Sequence, residues 1–119
     1  MKVEHIPEII ESSFGLWLSG LFSAISGWNP DLTFDEHKTV FFWVLQKLLE
    51  EGKVKFTPPN DLWHEGYDVW DADSATIVEY FRSRWPDNAK SEIDGALVDY
   101  FYTMPAVLWV GQDGKLHGS

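Results

Sequence analysis

Thr33-Phe34-Asp35-Glu36-His37-Lys38-Thr39-Val40-Phe41-Phe42-Trp43-Val44-Leu45-Gln46-Lys47-Leu48-Leu49-Glu50-Glu51-Gly52-Lys53-Val54-Lys55-Phe56 holds a helix start, a helix face, a helix stop and a strand in one run. The Thr33-x-x-Glu36 spacing is a capping box, in which the Thr33 hydroxyl accepts from the Glu36 amide. Phe34, Phe41, Val44, Leu45, Leu48 and Leu49 then fall on one helical face. Gly52 suits a left-handed stop. From Lys53 to Phe56 polar and apolar residues alternate, with Val54 and Phe56 on the same side, so a short strand follows. Thr57-Pro58-Pro59-Asn60 breaks the pattern. A helical period gives way to a strand period within a few residues.

Outward from this run, Ile6, Ile10, Phe14, Trp17, Leu21 and Ile25 recur at three- and four-residue steps, which predicts one helix from about Pro7 to Ser26. Pro7 fits its opening turn. Leu16, Leu18 and Phe22 widen its apolar surface. Gly15 and Gly20 weaken such a helix by about 1 kcal/mol each unless they admit a close neighbour. On the other side, Ile77, Val78, Phe81 and Trp85 predict a helix over about 74–85, capped by Asp71 or Asp73 and stopped by Pro86. Ile93, Leu97, Tyr100 and Phe101 predict another over about 91–103. The chain closes with a hairpin, Ala106 to Val110 and Lys115 to His117, turning at Gln112-Asp113-Gly114. About four helices with a small antiparallel sheet make the class α+β, in a single globular domain over residues 1–119. Trp17, Trp43, Trp85 and Trp109 lie in apolar patterns that predict burial. The order of elements also resembles a winged helix, but that scaffold binds DNA through basic surfaces and this chain has the opposite sign.

The composition bounds function. Nineteen acidic side chains against nine basic ones give a net charge of −10, in a chain with seven Trp, four Tyr and eight Phe. Such a surface repels the phosphates of nucleic acid and membranes and attracts basic protein. There is no Cys, which excludes disulfides, thiolate metal sites and a Cys nucleophile. The apolar run from Phe14 to Ile25 is broken by Gly and Ser and falls short of the roughly 20 residues that span a bilayer. Glu4, Glu8 and Glu11 stand where a signal peptide needs positive charge. A buried helix of a cytoplasmic protein is the expectation.

No catalytic motif accompanies these features. His5, His37, His64 and His117 show no helical metal-pair spacing, and His64-Glu65 is only adjacent. Gly-x-Ser-x-Gly elbows, phosphate-cradling loops and dinucleotide fingerprints are missing. Asp68, Asp71 and Asp73 could hold a hard cation, and Asp71-x-Asp73 resembles the opening of a calcium loop. Thr76 stands where that loop needs Gly, and Arg82 where it needs a bidentate Glu. Helix caps and a solvated acidic face account for these carboxylates more simply. The chain is expected to be no enzyme and to take no cofactor.

From Phe56 to Phe81 there is no Lys or Arg, while acids alternate with Trp63, Tyr67, Trp70 and Tyr80. Asp61, Trp63, Glu65, Tyr67, Asp68 and Trp70 are therefore the candidate partner-binding residues: aromatic anchors ringed by carboxylates. Packing of Trp63, Tyr67 and Trp70 against the core is the structural alternative.

Asp68-Val69-Trp70-Asp71-Ala72-Asp73, Arg84-Trp85-Pro86, Tyr100-Phe101-Tyr102, the run from Met104 to Val110 and Asp113-Gly114 carry a family likeness. In these motifs, its length and its helix-strand order, the chain resembles the small bacterial proteins of domain-of-unknown-function family 596. The resemblance covers nearly the whole chain. It brings no catalytic residues. It implies a short acidic protein of the kind that accompanies secreted polymorphic or contact-dependent toxins and acts as their immunity protein. The expectation is then a cytoplasmic immunity-like protein that neutralises a basic toxin domain, such as a nuclease. The alternatives are a small-molecule or carbohydrate binder using exposed Trp and Tyr, and a cryptic metal-dependent hydrolase. A homodimer is compatible with each.

Overall fold

A computed structural model describes residues 3–59 and 69–117. Its elements are α1 (Ile6–Ser13), α2 (Leu18–Trp28), α3 (Phe34–Glu50), β1 (Val54–Phe56), α4 (Ser74–Ser83), α5 (Gly95–Thr103), β2 (Val107–Val110) and β3 (Leu116–His117). The fold is α+β: five helices and a three-stranded antiparallel sheet in the order β1-β2-β3, among the described residues.

The opening run folds as its pattern requires. Thr33 Oγ1 accepts from the Glu36 amide at 3.1 Å, and Glu36 Oε1 accepts from the Thr33 amide at 3.0 Å. These bonds hold the Glu36 carboxyl below its ordinary pKa, the backbone bond first. Gly52 stops the helix at φ 70°, a conformation that costs glycine nothing. Val54 and Phe56 are buried and Lys55 is exposed. Val54 pairs with Trp109 and Phe56 with Val107, while Trp109 pairs onward with His117. Trp109, the largest fully buried side chain among the described residues, sits in the central strand.

The first expected helix is two. Its stripe is continuous in sequence, yet α1 ends at Ser13 and α2 begins at Leu18. Gly15 turns the chain at φ 80°, and the Leu16 amide donates back to Ser13 O at 3.0 Å. Leu16 then folds over Gly20, where a Cβ would lie 2.9 Å from Leu16 Cβ. The break frees the Leu16 carbonyl, which accepts from Trp109 Nε1 at 2.9 Å. A glycine pair and one indole thus set α1 against α2, and the described residues hold five helices where about four were expected.

This break corrects three burial expectations. Phe14 and Leu16 are about half exposed, and Trp17, at the N-cap of α2, is 47 % exposed. Trp43 is 53 % exposed, because it lies across α3 from the buried Phe41, Val44, Leu45 and Leu48. Ile93 is 88 % exposed: α5 begins only at Gly95, behind an Asp94 cap, so Ile93 falls in the turn before it. Trp85 and Trp109 are buried as expected. Trp85 lies beyond the last turn of α4, which ends at Ser83.

The core gathers Phe22, Phe41, Phe42, Trp85, Tyr100 and Phe101 into one aromatic cluster. Ring centroids there are about 5–6 Å apart in tilted or edge-on geometry. This cluster anchors α2 and α5 so that their outer faces sit side by side.

Candidate functional site

Of the six candidate partner-binding residues, Asp61, Trp63, Glu65, Tyr67 and Asp68 lie outside the described residues. Trp70 is described. Its amide donates to Phe56 O at 2.7 Å, extending the backbone pairing at β1. Its ring meets Tyr80 edge-on at 5.2 Å and packs partly buried against the core. Part of Trp70 is therefore structural.

Of the nearby carboxylates, Asp73 has a local role. Asp73 Oδ1 accepts from the Thr76 amide at 2.7 Å and caps α4. Hydrogen bonding to the Thr76 side chain first, and then this backbone bond, holds the Asp73 carboxyl below its ordinary pKa. Thr76, at the position where a calcium loop needs glycine, is thus the capped amide. Among the described residues no group of three or more His, Asp and Glu is placed to hold a metal ion. His37 is buried with Nε2 2.8 Å from Asn29 O, which makes it a core residue.

The exposed aromatics gather elsewhere. Trp17, from the start of α2, and Tyr102, from the end of α5, have ring centroids 6.0 Å apart. Tyr102 is 74 % exposed, and Val98, one turn earlier on α5, is also exposed. Two hollows meet at this pair. One, of about 110 Å³, runs beneath Trp17 and Tyr102 to Leu18, Met104, Pro105 and Ala106. The other, of about 290 Å³, is bounded by Trp17, Tyr102, Val98, Ser19, Ser23 and Glu92. Glu92 is held in place by the Ser26 hydroxyl, which donates to Oε1 at 3.1 Å.

Charge segregates about this face. No Lys or Arg occurs between Lys2 and Lys38, or between Lys90 and Lys115. The helices α1, α2 and α5 are therefore free of both. The cations of α3 and α4, and Arg84 just past the end of α4, lie over rings instead: Lys38 over Trp85, Lys47 over Trp43, Arg82 over Phe42 and Arg84 over Tyr80. The α2–α5 face thus pairs exposed aromatics with Glu92 and Asp99 and no basic side chain from either helix. The base-free runs are a usable signal for it, of the same kind as the base-free run over residues 56–81. The exposure was not: Trp17 belongs to an unbroken apolar stripe.

A third hollow, of about 820 Å³, lies between α1 and the β2–β3 hairpin, with Phe14, Lys53, Trp109, Asp113 and His117 along it. His117 Nε2 stands 3.8 Å from Asp113 Oδ1.

The chain is similar in fold to a solved structure, an uncharacterized protein conserved in bacteria, from Neisseria meningitidis. The TM-score is 0.69 at 23 % identity, covering 93 % of this chain and 84 % of that one. The likeness shows the fold. No family model and no curated protein matches the chain. No helix among the described residues is long and apolar enough to cross a membrane.

Proposed function

We propose that the chain is an immunity-like binding protein, which neutralises a basic toxin domain such as a nuclease by protein–protein contact in the cytoplasm. Membership of domain-of-unknown-function family 596 is part of this reading. In it the chain is no enzyme, takes no cofactor, and binds neither nucleic acid nor membrane. The observation that carries it is the pairing of exposed Trp17 and Tyr102 with Glu92, just before α5, and Asp99, on α5, beside two helices that hold no Lys or Arg. Partly exposed aromatics anchor interfaces, and a one-sign field speeds encounter with a partner of opposite sign, by roughly 10- to 1000-fold at low salt. The acidic-aromatic stretch, Asp61 to Trp70, belongs to the same contact in this reading.

The test is capture from lysate of the source cells on the tagged protein, washed in parallel at low and at about 0.5 M salt. A stoichiometric basic toxin domain, whose activity is inhibited on mixing with the purified chain, is the expected result. Absence of any retained basic protein from both washes overturns the reading. With the partner in hand, charge reversal at Glu65 and Asp68 slows association and flattens its salt dependence. An unchanged rate removes those residues from the contact.

A second reading, a small-molecule or carbohydrate binder, is favoured by the 820 Å³ hollow with its Phe14 platform beside Asp113 and His117. It predicts ligand-dependent Trp quenching with little salt dependence.

A further inference from the structure

The two hollows beside Trp17 and Tyr102 differ in kind. The smaller is the more closed and is walled by the side chains of Trp17, Leu18, Phe101, Tyr102 and Met104, with Pro105 and Ala106 at its edge. At about 110 Å³ it falls below the roughly 150 Å³ of an apolar cavity that takes up benzene, so it fits one aliphatic side chain. The larger carries the polar groups: Ser19, Ser23 and Glu92. Asp99 is exposed on the same helix three residues before Tyr102, a spacing that makes the two neighbours on the helix surface.

We propose that the hollow under Trp17 and Tyr102 receives a single aliphatic side chain of a basic protein segment, whose flanking Lys or Arg residues are caught by Glu92 and Asp99. This rests on the reading above and names the anchor that the partner must carry. The occupant is set by charge. A second copy of this chain would bring another net charge of −10, and like-sign surfaces oppose docking. A basic segment meets no Lys or Arg from α2 or α5. A desolvated apolar pocket with a charged rim is also the arrangement in which interface energy concentrates.

The probe is a synthetic helix-forming peptide of Lys and Ala, about 16 residues long so that it can form helix, with one central Leu. Binding is read from the indole N–H resonance of Trp17, assigned by its loss in Trp17→Phe. The expected result is a saturable shift of this resonance. Replacing the peptide's Leu by Ser weakens the shift by about tenfold or more. Ala106→Leu, which plugs the hollow and leaves every charge in place, does the same. Tyr102→Ala, at a 74 % exposed position where folding is not at stake, removes a wall and also weakens binding. Glu92→Lys with Asp99→Lys weakens binding at low salt and reduces its salt dependence.

Equal binding of the Leu and Ser peptides overturns the proposal, because charge alone would then suffice. So does a shift confined to other indoles, or unchanged binding by Tyr102→Ala. The two readings fail separately. A toxin domain held undiminished by Ala106→Leu keeps the immunity reading and overturns the pocket. Leu-dependent peptide binding at Trp17, without any basic partner in lysate, keeps the pocket and overturns the immunity reading.

Discussion

Tyr100 is buried among Trp85 and Phe101, and its hydroxyl donates to Phe81 O at 2.7 Å, tying α5 to α4. Burial pushes its pKa well above the usual tyrosine range, with the Arg84 charge pulling weakly the other way. The folded value exceeds the unfolded one. The corresponding stability is therefore fully present below the unfolded value of about 10 and is lost as pH rises through the folded value. Removing the hydroxyl leaves Phe81 O without this donor. Tyr100→Phe is expected to cost about 1 kcal/mol at pH 7 and to flatten the loss of stability above about pH 10. Urea unfolding across the neutral-to-alkaline range checks both. An equally steep alkaline loss in the variant would place the titrating group elsewhere.

The α1–α2 break is the element whose geometry most affects the surface, since it turns Trp17 outward. Gly15 holds it at φ 80° with nothing within 4 Å of an added Cβ, so the constraint is backbone conformation alone. Gly15→Ala is expected to cost about 1–2 kcal/mol through left-handed strain. A thermal midpoint unchanged in that variant would show that the break tolerates a side chain. Sequence made α3 and β1 legible because capping box, apolar face, glycine stop and alternation all agree there. It hid the break because the stripe from Ile6 to Ile25 keeps its period across Phe14 and Trp17. Periodicity records which residues could share a face, whereas the turn depends on Leu16 lying over Gly20 and on Trp109 Nε1 reaching Leu16 O. That indole is 93 residues away. The candidate site was legible in its chemistry, acids mixed with aromatics and no bases, and less so in its place. Trp70 serves the packing around Tyr80, while the exposed pair Trp17 and Tyr102 comes from opposite ends of the chain.

At the scale of the molecule, the net charge of −10 acts on folding and on binding with opposite dependence on salt. Compact charge of one sign repels itself and destabilises the fold. Among the described residues, attractions that oppose it include exposed pairs: Lys47 and Lys53 on Glu51 at 3.4 and 3.3 Å, and Arg82 with Glu79 at 3.9 Å. Pairs of that kind contribute at most about 1 kcal/mol each. The cations of Lys38 and Arg84 face aromatic rings, contacts that stand apart from the acidic excess. Screening therefore removes more repulsion than attraction. Raising NaCl from about 10 mM to about 0.15 M shortens the screening length from roughly 30 to 8 Å. A rise in Tm of a few degrees is expected, where about 4–8 °C corresponds to 1 kcal/mol in a domain of roughly 100 residues. A fall in Tm over the same range, measured by calorimetry at pH 7, would mean that the ion pairs outweigh the acidic excess. Capture of a basic partner has the reverse sign, weakening as salt rises. A complex that loosens while the free chain grows more heat-stable has lost its electrostatic attraction, and unfolding of this chain is excluded as the cause.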